Sequence, residues 1–349
     1  VPKDAELLIN GESKGFATQL VELPTYEHEI LIRRKGYATY QTKITPRKNF
    51  EKRVRIRLKT IEEAEQQNAI ENRAKRTSSA DTTYTGQKMK LFENAVGILG
   101  SPKNETGRQS DEPLRKVVLK RAFYLSEKEV SNLDYRKFFA SHSSGAFKKL
   151  SLDDNKQPVS NVSWMNAVLY CNWLSRRDGL KPFYVIKYGE LLGFRPDSTG
   201  YRLPTEAEWE WALKTTPEKQ YRFPWGSKMP PPNRTENFAD KSAINQIENI
   251  IQGYNDGFVV SSPVGSFSSN EKGLFDLHGN VAEWVHDFYE ARPETRTELD
   301  PLGPISGSIH VIKGASWKDA AVKLLRSASR DSGYEAQENI GFRVARYAR

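Results

Sequence analysis

Twelve residues near the C-terminal third, Gly273 to Trp284, place the carboxylates Asp276 and Glu283 and the amide Asn280 among Leu274, Phe275, Leu277, Val281, Ala282 and Trp284. A buried unpaired charge is expensive, so carboxylates set this close to apolar surface need a partner. A hard cation supplies one. Asp276 and Glu283 offer carboxylate oxygens and the turn around Gly279 can aim backbone carbonyls inward, which is the oxygen-rich shell Ca²⁺ takes. A tight turn with a surface Asp and a helix-capping Glu explains the same residues without a metal, and both readings stay open at this point.

Other reactive groups are sparse. A single cysteine, Cys171, excludes an internal disulfide, a CxxC metal knuckle and a dithiol redox pair. Five histidines (His28, His142, His278, His286 and His310) are scattered with no HExxH or HxxxH pair, so helix-spaced zinc or iron ligands have no support.

The chain that must position these groups has 349 residues, enough for two domains, one of them large. Mean hydropathy is −0.68 and no apolar run approaches ~18 residues, so a membrane span is not expected within it. It opens on Val1 close to a strand pattern, and any signal peptide or anchor is expected upstream. Residues 1–60 hold thirteen Lys/Arg against seven Asp/Glu, much of the chain's net +9. An anionic surface is the partner such a module would favour. Basic edge residues that suppress edge-to-edge pairing explain the charge equally, and without an aromatic stacking platform no specific nucleic-acid partner is expected.

Residues 5–59 read as β. Glu6 to Ile9 precedes Asn10-Gly11, a two-residue hairpin signal. Glu29 to Arg33 follows, then Tyr40, Thr42 and Ile44 at period two, and Val54, Ile56 and Leu58 alternate with Arg53, Arg55 and Arg57. Residues 60–76 are polar with too thin an apolar stripe to bury, and Thr77 to Gln87 lacks periodicity, so 60–87 reads as an interdomain linker.

From residue 88 the composition changes, and all seven tryptophans lie beyond it. Lys116 to Leu119 and Phe123 to Leu125 read as short strands, and Ser131 caps a helix expected to run through Phe139. Trp164, Ala167, Val168, Cys171 and Leu174 recur at helical spacing, which makes Cys171 a core thiol rather than a nucleophile. Thr205 and Glu208 form a capping box that opens a third helix, leaving Glu206 and Glu208 structural. Few helices, many short strands and long loops predict an α+β domain.

Two resemblances follow from these segments. The strand, Asn10-Gly11, strand and Lys35-Gly36-Tyr37 pattern resembles the PEGA domain, a small β-sandwich of bacterial envelope proteins, which assigns residues 1–59 to such a module; Leu23 to His28 stands where the eponymous Pro-Glu-Gly-Ala run is expected. Residues 88–349 resemble the formylglycine-generating enzyme (sulfatase-modifying factor) family, whose fold is a loop-rich variant of the C-type lectin. The blocks that carry this are Pro158 to Trp164, Tyr201 to Glu210, Pro224 to Gly226, Asn237-Phe238, Pro263 to Ser266, Gly273 to Trp284, Gly314 to Trp317 and Gly341 to Arg343.

The second resemblance implies two structural calcium ions. One would be held by Asn237 and Asp256 side chains with Phe238 and Phe258 carbonyls, the other by Asp276 and Glu283 side chains with Gly279 and Val281 carbonyls. It also implies copper-dependent oxidase chemistry on two thiolates in the segment after Gly314 to Trp317. Here that segment reads Lys318-Asp319-Ala320-Ala321-Val322-Lys323, with Asp319 about where the first thiol would stand. Cu(I) prefers soft sulfur donors, so formylglycine generation is excluded and no copper or iron is expected. The sulfoxide-synthase branch, in which a domain like this one is fused to an iron-binding His-rich helical domain, is not expected either.

The resulting expectation is a non-catalytic, extracytoplasmic binding or scaffolding protein of the bacterial envelope, anchored to a membrane through upstream sequence. Its partner would be a protein or an envelope glycan, met by Trp317, Lys318, Asp319, Arg326, Arg330 and Arg343. Internal salt bridging explains the three arginines equally well. The alternative is a cysteine-free oxidase-type enzyme acting on a small peptide or siderophore-like substrate, built from Asp319 with His278, His286 or His310 and an Arg clamp. The retroelement-diversified receptor branch of the same fold ranks last, because the C-terminal block lacks a dense Asn/Tyr/Ser cluster.

Overall fold

The computed structural model describes residues 4–47, 51, 54–64, 81–214, 221–291 and 297–348. The chain divides into two compact units, Val1–Ser79 and Ala80–Arg349.

In the first unit, β1 (Glu6–Ile9) and β2 (Glu12–Phe16) form the hairpin expected at Asn10-Gly11, where both residues take positive φ. Strands β3 (His28–Arg33) and β4 (Tyr40–Ile44) complete an antiparallel sheet of order β2-β1-β3-β4. Period-two alternation buries Leu7, Ile9, Ile30 and Ile32 on one face. Leu58 packs on that face as well, but Val54–Leu58 carries no strand; Ala38 N–H instead donates to Lys59 O at 2.9 Å. Among the described residues this module is a four-stranded sheet with the C-terminal segment packed on its apolar face.

Part of the expected linker belongs to the second unit. Residues 61–64 are helical behind a Thr60–Glu63 capping box, with Thr60 Oγ1 3.1 Å from Glu63 N. At the far end β5 (Asp81–Thr82) pairs with β6 (Lys88–Phe92), and Thr83 and Thr85 are buried. The larger domain thus begins before residue 88. The rest of the proposed linker, 65–80, lies outside the described residues.

Three sheets organise the second unit. The first, in the order β19 (Ala345–Tyr347), β9 (Phe123–Ser126), β6 and β5, carries one of the expected strands. The second runs β15 (Glu298–Leu299), β8 (Arg115–Leu119) and β7 (Ala95–Leu99). The third runs β17 (Arg330–Gly333), β16 (His310–Lys313), β14 (Ala282–Phe288) and β18 (Ile340–Gly341). Hairpins β10 (Ala146–Phe147) with β11 (Leu150–Ser151) and β12 (Tyr184–Lys187) with β13 (Glu190–Phe194) lie outside these sheets.

Helix α1 (Asn132–Arg136) starts at Ser131, whose hydroxyl accepts from Asp134 N–H, but ends before Phe139. Past Arg136 the chain leaves the helix in short turns, with Phe138 and Phe139 N–H both donating to Tyr135 O. Helix α2 (Trp164–Arg177) buries the predicted stripe, Cys171 included, and burial pushes that thiol far up. Helix α3 (Glu206–Leu213) begins with the Thr205–Glu208 capping box. The indoles of Trp164 and Trp284 cross-brace α2 and β14, donating to Val285 O at 2.8 Å and Val162 O at 2.9 Å. The result is the loop-rich, C-type-lectin-like α+β fold.

Candidate functional site

Strand β14 carries Glu283, His286 and Asp287 through the interior, all buried, where polar groups need partners. Glu283 accepts from Arg343 Nη2 at 2.7 Å and Nε at 2.8 and 2.9 Å, and from Trp209 Nε1 at 2.8 Å. The surface-Asp and helix-cap explanation of this stretch is therefore wrong: Asp276 is 1% exposed and Glu283 sits in a strand. Asp276 and Asn280 both adopt positive φ, which Asp and Asn tolerate better than most side chains. The turn they frame is braced by Asn280 N–H to Asn237 O (2.9 Å), Trp317 N–H to Asn280 O (2.8 Å) and Ala315 N–H to His278 O (3.1 Å). Gly279 is required by space, since a Cβ there would lie 2.7 Å from Glu236 Cβ and 2.9 Å from Asn237 O.

Both expected calcium sets contain a buried oxygen that lacks a hydrogen-bond partner. In the second set it is Asp276 Oδ1, while Asp276 Oδ2 accepts from Gly265 N–H. In the first set it is Asn237 Oδ1; the Nδ2 of the same amide donates to Val260 O and Asn280 Oδ1. Asp256 accepts from Phe238 N–H at 2.9 Å and Phe258 N–H at 2.8 Å, which draws those two expected residues around one carboxylate. Burial pushes Asp276 up to about 6 and Asp256 up to about 7, against the hydrogen bonds that favour their ions. Orphaned acceptors and carboxylates strained toward neutrality are what a hard cation would relieve, so the donor sets fit calcium. Among the described residues no three His, Cys, Asp or Glu side chains converge as metal ligands, so amide and backbone oxygens would have to complete either shell.

Two carboxylates beside the turn escaped the sequence reading. Glu129 accepts from Asn280 Nδ2 at 2.9 Å and Val281 N–H at 3.3 Å. Glu236 leaves Oε2 buried and without a partner. Burial raises both well above the ordinary carboxylate range, and the Asp276 charge adds to the effect. Glu236 adjoins the singled-out Asn237, but nothing local marked Glu129 as interior or Glu236 as half-buried with an enclosed Oε2.

The expected partner surface is mostly interior. Trp317 is 0% exposed and packs on Phe147, with ring centroids 5.0 Å apart, and on Val281. Arg326 is buried between Glu112 and Glu105, its Nη1 at 2.7 Å from each. Arg330 Nε lies 2.6 Å from Glu206 Oε1, and Arg343 serves Glu283. Asp319 folds back onto its own turn, accepting from Ser316 N–H at 2.9 Å and Oγ at 2.6 Å. Of the six residues only Lys318 is exposed, paired with Glu338 at 2.6 Å. Internal pairing, not presentation, accounts for the arginines.

The alternative catalytic set does not assemble. His278 Nε2 lies 2.7 Å from Leu325 O, His286 Nδ1 lies 3.2 Å from Tyr184 OH, and His310 stacks on Trp164 at 3.5 Å. Burial depresses all three, to about 4, 3 and 4 respectively.

The sulfatase-modifying factor enzyme 1-like domain matches residues 33–348 and the PEGA domain matches residues 1–62. A formylglycine-generating enzyme of Bos taurus is 28% identical over 293 residues, covering 74% of each chain. An inactive C-alpha-formylglycine-generating enzyme 2 of Mus musculus is 32% identical over 213 residues, 59% of this chain and 53% of the other. The solved Treponema denticola variable protein 1 superposes with a TM-score of 0.60 at 25% identity, over 78% of this chain and all of that one. With the fold, the braced glycine turn and the ordered sequence blocks in agreement, the chain belongs to the sulfatase-modifying factor enzyme 1-like family and carries an N-terminal PEGA domain.

Proposed function

We propose that this chain is a non-catalytic, extracytoplasmic binding or scaffolding member of its family, whose calcium-stapled loops engage a protein or glycan of the bacterial envelope. The observation that carries this reading is Asp319. It stands about where the first thiol is expected and spends its carboxylate on Ser316 N–H and Oγ, so that position caps a turn. The lone thiol, Cys171, is buried in α2. A relative described as inactive, and the PEGA domain, support the same reading. Among the described residues no cluster favours the cysteine-free enzyme: His278 meets Leu325 O, and the neighbouring His286 and His310 are held by Tyr184 and Trp164 while Asp319 serves Ser316.

The contact surface is redrawn by burial. Lys318, Ala321, Val322, Lys323 and Tyr334 to Gln337 are exposed, and the Lys318–Glu338 ion pair joins the two loops. The proposal is tested in two arms on the full chain. Anaerobic Cu(I) competition titration and oxygen uptake with a thiol peptide should both give nothing; tight copper binding or oxygen consumption refutes the non-catalytic reading. Crosslinking in envelope extract should yield a partner that Lys318→Glu with Tyr334→Ser releases, and capture unchanged by that pair refutes the surface.

A further inference from the structure

The resemblance assigns four ligands to the Gly279 turn and omits Glu236. We infer that Glu236 is a carboxylate ligand of the cation held there, through Oε2. This inference rests on the calcium reading above and adds to it a residue of this chain.

Three observations meet at Glu236. Its Cβ lies where a side chain on Gly279 would begin, at 2.7 Å, so the residue stands directly over the turn whose carbonyl the cation would use. Its backbone is clamped there: Glu236 N–H donates to Tyr254 Oη at 3.0 Å and Tyr254 Oη donates to Glu236 O at 2.5 Å. Its Oε2 is buried without a partner, as is Asp276 Oδ1 on a side chain that is 1% exposed. Two orphaned carboxylate oxygens at one turn are a poor arrangement for a folded protein and a good one for a divalent ion.

Charge leads to the same conclusion. Glu129, Glu236, Asp276 and Glu283 surround one buried guanidinium, Arg343. That guanidinium is committed to Glu283, with Nε and Nη2 both on its carboxylate. Glu129 has Asn280 and Val281 as donors. Asp276 Oδ1 and Glu236 Oε2 have no such donors, and the expected ligand Glu283 is the one already neutralised. A cation at this turn is therefore drawn toward Glu236 and Asp276 more than toward Glu283.

The test is calorimetric titration of Ca²⁺ into chelator-stripped full-length chain, with thermal melts of the same samples in EDTA and in calcium. Glu236→Gln keeps the side-chain volume and removes the charge. Its expected effect is at least tenfold weaker binding at the site that Asp276→Asn also weakens, a lower melt than wild type in calcium, and an equal or higher melt in EDTA. That crossover separates a ligand from a packing residue, because a packing defect lowers both melts. Wild-type affinity in Glu236→Gln, with binding lost in Asp276→Asn, overturns the role of Glu236 and leaves the site. No calcium binding by wild type overturns both.

Discussion

Arg326 gives the sharpest test of whether the C-terminal arginines face inward. Arg326 and Glu112 are each 0% exposed in their side chains, and the guanidinium meets both oxygens of the carboxylate, with Nη1 2.7 Å from Oε2. Among the described residues, Ser101 Oγ, 2.7 Å from Glu112 Oε2, is the side-chain partner that would remain if the guanidinium were removed. Stripping one partner from a buried ion pair costs about 3–5 kcal/mol, because the other charge stays behind without compensation. The second contact, to Glu105 at 11% exposure, adds less. At about 2–4 °C per kcal/mol for a domain of this size, Arg326→Gln should lower the melting temperature by about 6–20 °C. Arg326→Leu combined with Glu112→Leu should recover most of the loss, since no charge is then left buried. The assay is a double-mutant cycle by scanning calorimetry through Arg326→Leu, Glu112→Leu and the double variant, with a favourable coupling between the two positions expected. A single variant that melts within about 2 °C of wild type yet loses a partner would refute the interior placement.

Three further outcomes follow from the same structure. Chelation should lower the melting temperature, since calcium at 100 times its Kd contributes about 2.7 kcal/mol; an unchanged melt counts against the calcium reading. His310 titrates near 4 when folded and near 6.5 when unfolded, so the unfolded chain takes the proton first and stability falls as pH drops from about 6.5 to 4. Replacing His310 with Phe, which keeps a ring against Trp164, should flatten that acid limb by up to about 1.4 kcal/mol per pH unit; an identical pH profile would sink the assignment. Thr205→Ala removes the acceptor for Glu208 N–H at the start of α3 and should cost about 1 kcal/mol in chemical denaturation. No loss there would mean that Arg202, paired with Glu208 at 2.6 Å, fixes this helix end alone.

Signals that act over a few residues were legible in the sequence. The Asn10-Gly11 turn, the α2 stripe and the Thr205–Glu208 box each involve neighbours within a turn or two, and each forms as expected. Helix α1 stops early because its continuation is settled by loop contacts such as Arg136 Nε to His142 O, which no period reports. The boundary near residue 88 misplaced a two-residue strand for a similar reason: Asp81–Thr82 pairs with Lys88 and Met89, across a turn that no period reports.

By itself the sequence determined the family, the two-module layout and the lack of a second thiol, because block order and residue identity are local facts. Tertiary structure alone decided which charges are interior. Arg326 finds Glu112 across 214 positions and Arg330 finds Glu206 across 124, so their desolvation depends on what the fold brings together. The same holds for Asp276, whose buried Oδ1 is left without a partner, and for Glu236, whose Cβ the fold sets against Gly279.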